Sequence, residues 1–125
     1  MKFKNILLFL ISFLLINTSF LYSTEFKMGD MVVISKGDTL TDDFITLSES
    51  LRMNGNMGGD IIAAGRSLSI HGNIADDFIG AGETILIDGK VGDDVITAAK
   101  TVTINGFIDG DVIAAGQEIE IEKRQ

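Results

Sequence analysis

The chain has 125 residues, 10 basic and 18 acidic, for a net charge of −8, and it contains no cysteine, proline or tryptophan. The missing cysteines exclude a disulfide framework and a thiolate metal site, and the acidic balance argues against nucleic acid as a partner. About a hundred residues remain once an N-terminal leader is set aside, enough for one domain.

Residues 1–23 have the grammar of a signal peptide: a basic start (Lys2, Lys4), an apolar run from Ile6 to Ile16, then the small polar residues Asn17, Thr18 and Ser19. The run falls short of the roughly 20 residues needed to cross a hydrocarbon core. Ser19 or Ser23 would precede the cut. If the run instead extends through Phe20 to Tyr22 and stays uncleaved, it is an anchor, and the membrane is contacted through this segment alone. Either way the chain is expected to be exported, to the periplasm, the cell surface or the medium. Loss of Lys2 and Lys4 with the leader leaves 8 basic against 18 acidic residues, a net charge of −10.

Residues 24–40, with Phe26 to Ile34 at their centre, do not match the repeat of the later residues and are expected to form an N-terminal cap or partial turn. From residue 41 to 121 the chain repeats. One aspartate recurs every 17 residues at Asp43, Asp60, Asp77, Asp94 and Asp111, a glycine at Gly55, Gly72, Gly89 and Gly106, and an apolar residue at Met53, Ile70, Ile87, Ile104 and Ile121. A second apolar series, Met57, Ile62, Leu68, Ile74, Ile79, Ile85, Val91, Ile96, Val102, Ile108, Ile113 and Ile119, advances in steps of 5, 6 and 6. Three anchors per period describe a coil with three short sides, each strand stacked on its equivalent one turn away. No 3.6-residue period generates such steps, and the abundance of Ile, Val and Thr favours strands. The expected fold is all-β: a single-domain triangular parallel β-helix of about five 17-residue turns, preceded by a signal-peptide helix.

In this scheme Ile62, Ile79, Ile96 and their equivalents point inward, and the small column Ala64, Ala81, Ala98 and Ala115 lies where the coil is narrow. Gly65, Gly82 and Gly116, with Ser48 and Ala99 in the other turns, mark one corner. The Gly72 column marks another, where a backbone conformation closed to bulkier residues is the expected reason for glycine. Residues 122–125 form a short tail.

The phrases Gly59-Asp60-Ile61-Ile62-Ala63-Ala64-Gly65, Ser67-Leu68-Ser69-Ile70-His71-Gly72-Asn73-Ile74, Thr101-Val102-Thr103-Ile104-Asn105-Gly106 and Gly110-Asp111-Val112-Ile113-Ala114-Ala115-Gly116 resemble the bactofilins, the bacterial polymer-forming cytoskeletal proteins, and more closely their exported relatives. The resemblance covers about Asp38 to Ile121. It implies a right-handed triangular β-helix that polymerises end to end without nucleotide, its partner being itself or a longer relative with the same repeat. Two features depart from it: bactofilins proper are cytoplasmic with tails that often carry proline, and the exported relatives often have membrane-spanning segments after the repeat.

Among residues that could carry chemistry, the column Asp43, Asp60, Asp77, Asp94 and Asp111 has two readings. Carboxylates about 5 Å apart could hold cations such as calcium, or each could accept hydrogen bonds from turn amides; the calcium-binding nonapeptide repeat is not present, which favours the second. His71 shares its column with Asn54, Asp88 and Asn105 and lacks a nucleophilic partner. The hexapeptide-repeat acyltransferases need six-residue steps and a catalytic histidine in a longer chain, so no enzyme and no cofactor are expected. The hydroxyl rows Ser67/Ser69, Thr84/Leu86 and Thr101/Thr103 are similar to those of ice-binding solenoids but are interrupted by Arg52, Leu86, Glu118 and Glu120.

The expected function is that of an exported self-assembling scaffold of the cell envelope. Its assembly surface is expected at the last turn, around Ile113, Ala115, Ile119 and Ile121, where Ile113→Lys should be tolerated by the monomer and not by the polymer. The alternative is a binding module for a polysaccharide or a membrane-surface ligand, against which the scarcity of aromatic residues on the faces counts.

Overall fold

The structure, a computed structural model, describes residues 24–122, so the leader lies outside the described residues. Nine strands follow one another: β1 (Thr24–Ile34), β2 (Thr39–Leu40), β3 (Asp43–Met53), β4 (Asn56–Met57), β5 (Ile61–Ile70), β6 (Phe78–Ile87), β7 (Val95–Ile104), β8 (Val112–Ala115) and β9 (Glu118–Ile121), with no helix among the described residues. All pairings are parallel, in the order β1-β3-β5-β6-β7-β8, with β9 also on β7. From β3 onward every paired residue has its partner 17 positions ahead, as Ile62 with Ile79 and Ile79 with Ile96. The chain is a β-solenoid. Each long strand covers two sides of the coil, bending at the Ser48, Gly65, Gly82 and Ala99 corner, and the third side is reduced to β2, β4 and the single bridges Met57–Ile74, Ile74–Val91 and Val91–Ile108.

There are six coils, not five. Residues 24–40 are no cap: β1 runs the length of β3 in parallel pairing, with an offset of 19 residues, as in Thr24 with Asp43 and Ile34 with Met53, while Thr39 and Leu40 return to the 17-residue offset. The two extra residues are absorbed in the corner Ser35–Asp38. There the Asp38 amide donates to the Ser35 carbonyl at 3.0 Å, and Gly37 takes a φ of 97°, a left-handed value that suits glycine. A two-residue insertion thus hides a complete coil from a count made at a single period.

The core is a set of stacked columns. Leu51, Leu68, Ile85 and Val102 form one, Met53, Ile70, Ile87 and Ile104 a second, and Met57, Ile74 and Val91 a third, all buried. Val32 and Ile34 extend the first two into the opening coil. On the remaining side the expected inward series is displaced by one residue. Phe44, Ile61, Phe78 and Val95 are fully buried, whereas Ile62, Ile79, Ile96 and Ile113 are 44%, 38%, 42% and 62% exposed. Successive strand residues face opposite ways, so two adjacent apolar columns cannot both point inward. The column that includes the two phenylalanines is the one inside.

The small inward column shifts with it to Thr46, Ala63, Gly80, Thr97 and Ala114, while Ala81, Ala98 and Ala115 face solvent. A Cβ on Gly80 would sit 2.6 Å from the Phe78 ring, so glycine makes room for that ring.

The Gly72 column has a different cause from the one expected, since Gly37 alone among the described residues has a positive φ. At each such corner two successive amides donate to one carbonyl of the coil before, as His71 and Gly72 do to Met53 at 2.8 and 3.1 Å. This draws the stacked backbones together until a Cβ on Gly72 would overlap the carbonyl oxygen of Gly55, and one on Gly89 that of Gly72.

These assignments set three stabilities apart. Phe78→Ala empties a fully buried site and is expected to cost about 3–5 kcal/mol, whereas its neighbour Ile79→Ala should cost about 1 kcal/mol or less. Thr97→Val replaces a buried hydroxyl that has no hydrogen-bond partner and should stabilise by about 1 kcal/mol. Denaturant melts of the three variants check the set: a loss at Ile79 as large as that at Phe78 would contradict the assignment of inside and outside on this side.

Candidate functional site

The recurring aspartates sit where the third side turns into the long strands, and they form a continuous hydrogen-bonded ladder. Oδ1 of Asp43 accepts the amide of Asp60 at 2.8 Å, Asp60 that of Asp77 at 2.8 Å, Asp77 that of Asp94 at 2.9 Å, and Asp94 that of Asp111 at 2.8 Å. The carbonyls of the same residues point the other way: those of Asp60, Asp77, Asp94 and Asp111 accept the amides of Phe44, Ile61, Phe78 and Val95 at 2.9–3.0 Å. Each aspartate from Asp60 to Asp94 therefore ties its own coil to both neighbours. A carboxylate serves because the corner amide it receives faces the preceding coil and has no backbone acceptor there.

A second ladder lies one side earlier in each coil, at the start of the third side, where Asn56 Oδ1 accepts the amide of Asn73 at 3.1 Å and Asn73 Oδ1 that of Lys90 at 3.0 Å. Its sequence signal, an asparagine just before the apolar anchor at a spacing of 17, is present but short.

Only part of the aspartate column enters a denser acidic group. Asp77 and Asp94 join Asp93, from the neighbouring column, with one carboxylate oxygen of each within 4.8 Å of the others; Asp43, Asp60 and Asp111 stand apart. Such oxygens have the chemistry of a hard-cation ligand set. The Asp93 carboxyl is pushed above its ordinary value near 3.8, first by the charge of Asp94, then by that of Asp77, with smaller contributions from burial, a hydrogen bond with Asp94 and the charge of Asp76.

The other polar columns are ladders too. His71 Nδ1 lies 3.0 Å from Asp88 Oδ2, whose Oδ1 accepts from Asn105 Nδ2 at 3.1 Å. Arg66 stands between Glu49 at 3.5 Å and Glu83 at 3.4 Å on the outside of the long strands. A shallow trough beside the Ser50 and Arg52 columns is lined by Met31, Val33, Arg52, Ser69, His71 and Leu86, with no phenylalanine, tyrosine or tryptophan among them.

The residues expected to form an assembly surface divide between two places. Ile113 and Ala115 belong to the outward columns of the first long side. Ile119 and Ile121 continue the inward columns that end in Val102 and Ile104. Val102 and Ile104 are fully buried, whereas Ile119 and Ile121, on the last described coil, are 42% and 46% exposed.

Acid should relieve the repulsion in this group. Because the folded state raises the Asp93 pKa, folding favours the protonated acid. The stability this lends is complete below about pH 3.8 and is lost as pH rises through the raised value. At neutral pH the group is a repulsive cost, so Asp93→Asn should raise the melting temperature at pH 7 and match wild type near pH 3. Thermal melts at the two pH values check this; an equal difference at both would separate Asp93 from the repulsion.

No family model matches the chain, and neither a curated protein nor a solved structure matches it.

Proposed function

We propose that this chain is an exported structural protein, a bactofilin-like scaffold that self-associates through the open end of its solenoid, with a second copy or a longer relative of the same repeat as partner. The observation that carries this reading is the end of the core. Among the described residues β8 and β9 pair on one side only, with β7, and Ile119 and Ile121 are half exposed where every coil above covers its equivalents. A row of free amides and carbonyls beside uncovered apolar side chains is a template for another β-strand. A coil added at the 17-residue register would extend the backbone ladder and complete the core columns together. The basic start and apolar run of residues 1–23 support export, and in this reading the charge of the ladders keeps the rod soluble while its open end associates.

Ile119→Lys combined with Ile121→Lys tests the joint. In a free molecule the long side chains can reach past the last coil to water, so the variant should stay folded. At a joint they would bury two unpaired charges, at a cost of several kcal/mol. Ile104→Lys, one coil inside, should unfold the domain. Electron microscopy and sedimentation are expected to show wild-type particles longer than one monomer and the folded double variant as monomers. Equally large species from both would place the joint elsewhere.

A further inference from the structure

The outward face of the first long side carries no charge over four successive coils. It is a ridge of isoleucines, Ile62, Ile79, Ile96 and Ile113, beside a trough of alanines, Ala64, Ala81, Ala98 and Ala115, two residues further along each strand. Ridge and trough share one spacing, about 4.8 Å from coil to coil, and lie about 7 Å apart. A contiguous apolar strip on an acidic protein marks a contact surface.

We infer that this face binds the same face of a second copy, the two solenoids lying side by side about a two-fold axis parallel to their length. Shape selects the occupant, because that operation sets the isoleucine ridge of each copy into the alanine trough of the other, coil against coil. Sheets pack face to face in this aligned manner, about 10 Å apart.

Charge selects the direction. One rim of the strip is the column Asp60, Asp77, Asp94 and Asp111, and the other is Arg66, Glu83, Lys100 and Gln117. A two-fold axis across the solenoid would set the aspartate column against itself. The axis along the solenoid sets it against the rim that carries the basic residues, Arg66 level with Asp60 and Lys100 level with Asp94. Glu83 is drawn along its own rim toward Arg66 at 3.4 Å.

The strip is about 20 Å by 20 Å, so a pair buries roughly 800 Å² in all, below the range of stable dimers. Association of single molecules is therefore weak and concentration-dependent, and grows when copies are joined end to end and the strips add. Sideways pairing depends on the fold and on this face, and not on the end joint.

The test uses full-length protein carrying Ile119→Lys and Ile121→Lys, so that the ends do not contribute. In this background Ala64→Ile with Ala81→Ile fills the trough, and Ile62→Ala with Ile79→Ala flattens the ridge. All four positions face outward, so both variants should stay folded and melt only modestly below the background. Each variant alone is expected to associate about tenfold more weakly than the background by sedimentation equilibrium. An equimolar mixture should regain the lost affinity as a one-to-one heterodimer, because the filled trough of one copy then meets the flattened ridge of the other. A background protein that stays monomeric at every concentration overturns the inference, as does a mixture no stronger than its components; neither result bears on the end joint.

Discussion

Each coil is held chiefly by the backbone hydrogen bonds it shares with the coils on either side, and these stay in register because every coil from β3 onward has the same number of residues. That one constraint organises the rest. A column of identical positions stacks about 4.8 Å apart, so each side chain meets mostly copies of its own kind. Apolar columns become core, amide and carboxylate columns become ladders, and glycine columns become the places where backbones nearly touch. The single departure, two extra residues at Ser35–Asp38, is confined to a corner, where a turn with Gly37 absorbs it without disturbing the sides before and after.

Stacking also multiplies like charges, and the molecule handles this in two ways. In the aspartate column one oxygen of each carboxylate down to Asp94 receives an amide from the next coil, so the charge is hydrogen-bonded at every one of those corners. In the Glu49, Arg66, Glu83 and Lys100 column the sign alternates from coil to coil, and Arg66 bridges its two neighbours. Where these devices do not suffice, at Asp77, Asp93 and Asp94, repulsion remains and is expressed as the raised pKa of Asp93.

A solenoid leaves its outer faces free of any packing duty, and here one of them is apolar. The isoleucine ridge and alanine trough are as regular as the core columns, although no described element of the same molecule covers them. Ile119 and Ile121, on the last described coil, are half exposed as well, at right angles to that face. A scaffold that grows lengthwise and pairs sideways would use both.

The period, the three-sided coil, the parallel stacking and the capping role of the aspartates were legible in the sequence, because each is a property of spacing: a 17-residue recurrence of Asp, Gly and Ile admits one register. The second long side and the third side were also legible, since Leu68, Ile70 and Ile74 alternate with polar residues and only one face can be buried. Tertiary structure alone decided which of two adjacent apolar residues, Ile61 or Ile62, Phe78 or Ile79, lies inside. Both columns are aliphatic or aromatic at the same period, and the choice depends on how the chain leaves the aspartate corner and on the room that Gly80 gives the Phe78 ring. It likewise decided that residues 24–40 are a sixth coil, since pairing is a contact between distant residues and survives a corner insertion that breaks the count along the chain.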